Sequence, residues 1–569
     1  MFKQPLVSLV LASSMVLVGC GGGGGDGTTE PPTRPPESIQ GRVWPTFDPS
    51  NSQLPLPNDL IFDREAGDGT FSVPDTTPPV TTALNQLSGA STLAPIDIEI
   101  FGQLNPDSVD AREFILVDTN GDEVPDTPSP NPSQNVFVIK TAYASGDPVQ
   151  GLAIQEPPTL PLAQTAQAAG AGDAQAGASL AGRAINPAYS AKVIERSGKD
   201  FIRINLNEPL EPFTRYVVVV TDGVQDIDER PIRPSPFYEI LTGEDDLNAE
   251  ALEPVRAIID GLWESVASGY FQVVNSARAP LSMPALSDEN IALSYSFTTS
   301  NDEKVLHYLA EPAAWFDDQL TRFLRVSAAE AVVTGGQDLN QDGSVDYVDV
   351  KLAADGAVEA FPANPADPED TSLQEALSDF FAAPPPNGCD GLTGSTAIQC
   401  VATAFTGPLA FGSLLPTPVG AEPSASLDDA QDALQVSAVL SQMVSGPGAV
   451  SVVQGDMTIP YYLGLPNGTD GSALQTASWG ADAGLAQAMN SSFAELGLQI
   501  PQADPAVSSV VNHVFPFPEK TEDLTIPMLV IFPSDAPLDG SLPLVIYQHG
   551  ITTDRSAALT FGSALAESA

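Results

Sequence analysis

From residue 39 to residue 243 the apolar residues arrive in short runs cut by Pro, Gly, Asn or Asp: SIQGRVWPTF, APIDIEIFG, EFILVD, NVFVIK, DFIRINL and RYVVVVTDGV. Runs this brief suit strands of about four to eight residues and are too short for typical helices. Such punctuation argues for a β-sandwich module over 39–245. The stretch QEPPTLPLAQTAQAAGAGDAQAGASLAGRAINPA (155–188) differs, being Ala/Gly/Gln-biased with no aromatic residue before Tyr189. Such a composition buries little, so a mobile surface insertion is expected there.

After Gly243 the period changes. Leu252, Val255, Ile258, Ile259, Leu262 and Val266 recur at spacings of three and four, which predicts an amphipathic helix. NIALSYSFTTS then alternates like a strand, VLHYLAEPAAWFDDQLTRFL returns to a helical pattern, and LDDAQDALQVSAVLSQMV (427–444) reads as a helix with acidic residues in its first turn. A mixed, helix-rich region is therefore expected over 246–449. From about Val450 the strands VSVVQGDMTIPYYLGLP, IPMLVIFPSD and LPLVIYQHG become apolar on both faces, as in a buried α/β sheet. At 569 residues the chain is too long for one core, and a multidomain protein with two or three folded units is expected.

The 22 Lys+Arg against 73 Asp+Glu leave 22 − 73 = −51. A field of that sign repels phosphate backbones, which argues against nucleic-acid binding. The first twenty residues, MFKQPLVSLVLASSMVLVGC, carry Lys3, an apolar run from Leu6 to Val18, and Leu17-Val18-Gly19-Cys20. The run is too short to cross a hydrocarbon layer of about 30 Å, so it reads as a secretion signal. Leu-Val-Gly-Cys resembles the bacterial lipoprotein box, whose cysteine becomes the lipidated first residue. Gly21 at the next position is not Asp, which in Gram-negative lipoproteins implies transport to the outer membrane. Residues 21–38 form a Gly-rich and then Pro-rich tether.

Two further cysteines, Cys389 and Cys400, form an even pair close in sequence, and in an exported chain they read as a disulfide. Closing a loop of that size stabilises by about 3 kcal/mol on chain-entropy arithmetic. In DLNQDGSVDYVD, Asp338, Asn340, Asp342, Gly343, Ser344, Asp346 and Asp349 occupy positions 1, 3, 5, 6, 7, 9 and 12 of an EF-hand-like loop. Hard oxygen ligands on alternate residues, with glycine at the sharp turn, are expected to wrap a structural Ca²⁺. Asp349 stands where most such loops have a bidentate Glu, so its reach is shorter. DTNGDEVPD (Asp118, Asn120, Asp122, Asp126) repeats the acidic spacing without the full loop.

The three histidines are His307, His513 and His549, too few for a multi-His metal centre. His307 lies in an apolar helical pattern and His513 in a loop without an evident partner. His549 is different: it ends a strand-like run, LVIYQHG, which is followed by small polar residues and the helix-like SAALTFGSALAES. In α/β hydrolases a His-Gly turn after this strand supplies a backbone N–H to the oxyanion hole.

The lipoprotein box, FDPSNSQLPLPNDLIF, YVVVVTDGVQD, NIALSYSFTTS, IPYYLGLP, NHVFPFPEKTEDLTIPMLVIFP and LPLVIYQHGITTDR together resemble the bacterial virulence-factor lipase family. These are surface lipoproteins with lysophospholipase or extracellular lipase activity. LNPDSVDAREFILVDTNGD and LNEPLEPFTRYVVVVTDGVQDIDERPI also resemble bacterial Ig-like domains, which implies an Ig-like β-sandwich over 39–245. The resemblance to the lipase family implies an N-terminal β-rich domain and an α/β-hydrolase domain beginning near residue 450. It implies a lipid or lysophospholipid substrate, anchoring to the outer membrane with display at the cell surface, and an oxyanion turn at His549, Gly550 and Ile551, the N–H near Ile551 donating. The sequence departs from the family at its centre, because no G-x-S-x-G occurs anywhere. The expectation is that 450–569 is an incomplete hydrolase domain, cut inside the helix before the nucleophile elbow, and inactive by itself. The alternative from another class is a non-catalytic surface lipoprotein with a scaffold or adhesion role.

Overall fold

The computed structural model describes residues 41–62, 67–73, 80–143, 158–243, 250–315, 424–432, 449–473, 477–492, 499–537, 541–550 and 552–568, with isolated positions at 245, 247, 318–319, 338–339, 341, 343, 349 and 352. The fold is mixed α/β, with several antiparallel sheets and helices. The chain divides into two units, Met1–Pro416 with Gly484–Pro516, and Thr417–Ala483 with Phe517–Ala569.

Among the described residues the first unit holds nine strands: β1 (Trp44–Pro45), β2 (Ile96–Phe101), β3 (Phe114–Val117), β4 (Thr127–Pro130), β5 (Val136–Lys140), β6 (Tyr189–Arg196), β7 (Lys199–Leu206), β8 (Arg215–Thr221) and β9 (Ile291–Thr298). One sheet runs β1-β2-β7-β6 and another β5-β8-β9, both antiparallel, with β3 and β4 as a separate hairpin. Alternation sets the faces of the four-stranded sheet. Ile96, Ile98, Ile100, Ile202 and Ile204 are buried in one core, whereas Asp97, Glu99, Phe101 and Arg203 face outward.

The three-stranded sheet is covered more completely. Every residue of β8 and β9 is buried, as the continuous run Val217–Val220 requires. One face meets the helical path Glu253–Ile258, Ile259–Glu264 and Ser265–Arg278, where Phe137 of β5 lies edge-on to Tyr270 and Phe271 at 5.9 and 5.4 Å. Val255, Ile258, Ile259, Leu262 and Val266, spaced three and four apart, are all buried. Because β9 completes the sheet of β5 and β8, this core continues through residue 298.

The Ala/Gly/Gln stretch is not a mobile insertion. It folds as two helices, Pro161–Gly170 and Ala174–Ile185. Alanine carries the highest helix propensity, and the Asp173 carboxylate caps the second helix by accepting from the Gln175 and Ala176 N–H groups at 2.9 and 3.1 Å. Leu180 is buried, and the Arg183 guanidinium donates from Nε to the buried Glu113 carboxylate at 2.7 Å. Composition alone does not register this anchoring. Strand β6 has no counterpart among the expected strands. It is held by the two-residue turn Ser197-Gly198, both at positive φ (+54° and +77°), whose backbone twist matches that of the hairpin.

The second unit is built on β12 (Val450–Tyr461) paired antiparallel along its whole length with β13 (Glu522–Pro533). On the other edge of β12 lie β10 (Ser424–Leu427) and β11 (Gln431–Asp432). A Cβ at Gly455 would sit 2.1 Å from the Ser426 carbonyl oxygen, so glycine is required where β10 crosses. Helix Ala558–Ser568 lies on the sheet, with Ala566 buried beside Val450 and Val452. Gly562 lets it approach, since a methyl there would come 2.6 Å from Ile531 Cδ1.

Two expectations change in this unit. The helix predicted to start at Leu427 does not do so: residues 424–427 and 431–432 pair with β12, and 433–448 lie outside the described residues. Edge pairing outweighs the helix signal there. The LVIYQHG run is not a buried strand either. Residues 543–550 form no regular structure, with Leu544 and Ile546 84 % and 86 % exposed. A strand apolar on both faces needs paired edges and a covering layer on each side, and the described residues supply neither.

Candidate functional site

Downstream of that run the chain does form a turn followed by a capped helix. The Gly550 carbonyl accepts from Thr553 N at 3.2 Å and from Thr553 Oγ1 at 2.8 Å, with Thr552 at φ +71°. The Asp554 carboxylate accepts from Ser556 N at 2.8 Å and starts the 3₁₀ turn Arg555–Ala557, which runs into helix Ala558–Ser568. Hydrogen bonds to Ser556, with smaller contributions from His549 and Arg555, hold the Asp554 carboxyl below the usual carboxylate range. The His549 ring lies with Nδ1 3.0 Å from its neighbour's carbonyl, Gly550 O. His549 is thus turned onto the turn's own backbone, exposed. Ile551, the expected donor, lies outside the described residues.

The loop at 338–349 is described at its ends and turn. Asp349, fully buried, accepts the Leu339 N–H at 2.7 Å, and Asp338 accepts the Gly343 N–H at 2.7 Å. Gly343 has φ +94°, the left-handed conformation needed at the sixth position. Positions 1 and 12 therefore close on one loop, and their carboxylate oxygens are the hard donors that Ca²⁺ takes. Asn340, Asp342, Ser344 and Asp346 lie outside the described residues, as do Cys20, Cys389 and Cys400. Among the described residues no group of three or more His, Cys, Asp or Glu is placed to hold a metal ion.

A buried polar network in the first unit has no precursor in the sequence patterns. Asp59, in the 3₁₀ turn Asp59–Ile61, lies 3.1 Å from Arg215 Nε and accepts the Ser296 hydroxyl at 2.7 Å. Ser296 in turn accepts Trp263 Nε1–H at 2.9 Å, and Arg215 donates to the Tyr143 hydroxyl at 3.2 Å. Asp59 and Arg215 are 0 % and 1 % exposed. Two residues along β9, Ser294 shares a 2.6 Å hydrogen bond with Tyr238, whose hydroxyl donates to Glu264 at 3.1 Å. Burial, with Asp260 and Asp288 nearby, pushes the Glu264 carboxyl up to about 7 against the Tyr238 hydrogen bond. PNDLIF and NIALSYSF, within two strings of the family resemblance, meet in this network with Arg215, which stands immediately before a third, YVVVVTDGVQD. The signal that could have found it is the pair of serines alternating on an otherwise apolar strand.

His513 is buried, its ring 4.7 Å from that of Phe213, and the neighbouring Asn512 side chain donates to the Asp68 carbonyl at 2.7 Å. His307 is exposed on helix Asp302–Ala310. No helix among the described residues is long and apolar enough to cross a membrane. Comparison with known proteins finds no match for the chain among family models, curated proteins or solved structures.

Proposed function

We propose that the chain is the N-terminal part of a lipid-anchored bacterial lipase or lysophospholipase that cleaves carboxylic esters of lipids by serine acyl transfer. The observation that carries this is the stretch from His549 to Ser568: a His-Gly turn, an Asp-capped start and a helix laid on a sheet. A hydrolase of this family uses such a turn to present a backbone N–H to the oxyanion of the tetrahedral intermediate. His549 shapes the turn and is not the general base. The nucleophile and its acid and histidine partners are not among these residues, since no G-x-S-x-G occurs. The coding frame past codon 569 is therefore the first test. A short apolar strand ending in G-x-S-x-G, then Asp or Glu, then His, is expected; an in-frame stop at 570 overturns the enzyme assignment.

In this proposal the sheets of β1 to β9, residues 44–298, contribute an Ig-like β-sandwich as scaffold, and residues 450–569 begin the hydrolase sheet. Cys20 carries the lipid that holds the protein at the outer membrane. Cys20→Ala is expected to release it from the membrane fraction, and unchanged fractionation removes the anchor. Asp338, Asn340, Asp342, Ser344, Asp346 and Asp349 would hold a structural Ca²⁺, which ties the loop together and takes no part in catalysis. Chelator is expected to lower the melting temperature of the wild type and not of Asp338→Ala/Asp342→Ala. Equal shifts leave a solvated turn. A second reading, a non-catalytic surface lipoprotein with a scaffold or adhesion role, is favoured by the Asp59–Arg215 network, which is buried and fastens elements together.

A further inference from the structure

The outward face of the β1-β2-β7-β6 sheet carries a charge balance opposite to that of the chain. Strand register sets Lys192 of β6 beside Arg203 of β7, and Arg196 beside Lys199. On β2 the same face presents Asp97 and Glu99, so four cations meet two anions, and 4 − 2 gives a local +2 on a chain of −51. Glu195 and Asp200 pair at the next position and so point to the opposite face. The two anions are engaged. Asp97 holds Arg203 at 2.6 Å and Arg196 at 3.5 Å, and Glu99 holds Lys199 at 2.6 Å. Among the described residues Lys192 makes no ion pair. Arg196 and Lys199 are 63 % and 58 % exposed.

Apolar surface lies next to these charges. Trp44 of β1 stacks on Phe101 of β2, centroids 4.2 Å apart and planes 11° apart, and Phe101 stays 58 % exposed. Trp44 is half-buried, and the outer side of the Phe101 ring faces water. Basic residues beside exposed aromatic rings on one flat surface are the pattern that suits a bilayer interface, where rings enter the headgroup layer and cations meet phosphates. The overall charge does not oppose this. At physiological ionic strength the Debye length is about 8 Å, whereas adjacent strands lie about 4.8 Å apart, so a docked membrane senses this face more strongly than distant carboxylates. The position along the chain also fits. Trp44 follows Cys20 by 44 − 20 = 24 residues, and random-coil statistics give a tether of that length an r.m.s. span of roughly 25–30 Å.

We propose that this sheet face docks on anionic phospholipid headgroups, with Lys192, Arg196 and Lys199 meeting phosphates and Trp44 and Phe101 entering the interface. The face stands on its register and charge, and only the tether argument rests on lipidation of Cys20. Docking would hold the first unit flat on the lipid that the proposed hydrolase acts upon.

The test uses residues 20–569 carrying Cys20→Ser, which removes signal and lipid together. Sedimentation with vesicles of phosphatidylcholine alone, and of phosphatidylcholine with phosphatidylglycerol, measures binding. The chain is expected to bind the anionic vesicles and not the neutral ones, and to lose binding as salt rises. Lys192→Gln/Arg196→Gln/Lys199→Gln, with an unchanged melting curve, is expected to bind at least tenfold more weakly, each cation contributing roughly fivefold. Absent binding, equal binding to both vesicles, or undiminished binding by the triple variant overturns the proposal. So does a dimer in light scattering that the triple variant dissolves, which would assign the face to a second copy. Failure here leaves lipidation of Cys20 untouched, because that is read separately by membrane fractionation of the exported protein.

Discussion

Asp59 and Arg215 form an ion pair sealed from water, and such a pair is held in place by the cost of breaking it. Removing one partner leaves a buried charge, so Asp59→Leu is expected to lower unfolding free energy by about 3–5 kcal/mol. Asp59→Leu/Arg215→Met, which removes both charges, should recover most of that loss in urea unfolding. If the double variant is no more stable than the single, the pair is not what couples these elements. Glu264 makes a separate prediction. The folded state keeps its proton up to about pH 7, whereas the unfolded carboxyl, with an ordinary value of 4.5, loses it earlier. Its contribution to stability is therefore complete below 4.5 and declines as pH rises from there through 7. Glu264→Gln should flatten that decline, measured as urea midpoints at pH 5 and pH 8. Of these residues only the serines alternating along β9 carry a local signal. Ser296 and Asp59 are 237 positions apart, and no local period relates them.

At the scale of elements, β2, β7 and the helical path were legible because one face of each is buried and burial imposes a period, and β8 because burial on both faces makes its run continuously apolar. The misses are elements whose fate is decided by a distant partner. Helix Ala174–Ile185 is fixed by Glu113, and β10 and β11 by β12. Arg183→Ala should unfasten the helix pair at 161–185, since it strands the Glu113 carboxyl, which burial already pushes up. Faster amide hydrogen exchange confined to 161–185 and β3 is the expected readout, and unchanged exchange would mean that Leu180 packing alone suffices. Ile546, exposed in this chain, gives the opposite kind of test. Ile546→Asp should change stability by less than about 0.5 kcal/mol, as surface substitutions do. A loss of several kcal/mol would put the run back into a buried strand.

At the scale of the whole molecule, the two units carry different parts of the proposed task. The first unit presents a basic, aromatic sheet face that fits a membrane, and the second lays a capped helix on an antiparallel pair of twelve-residue strands. The candidate turn at Gly550 was legible because glycine, small polar residues and a helix pattern are adjacent in sequence. The chemistry proposed for it was legible only as a resemblance, because an oxyanion donor acts only opposite a nucleophile, and in the proposal the nucleophile lies elsewhere in the protein. Labelling with a fluorophosphonate ester, which reacts with activated serines, tests this most directly when applied to the product of the whole reading frame. The account predicts one labelled serine, C-terminal to residue 569 within a G-x-S-x-G, with fatty acid released from lysophosphatidylcholine and both lost together on heat unfolding. A folded full-length product that takes up no label and releases no fatty acid would contradict it.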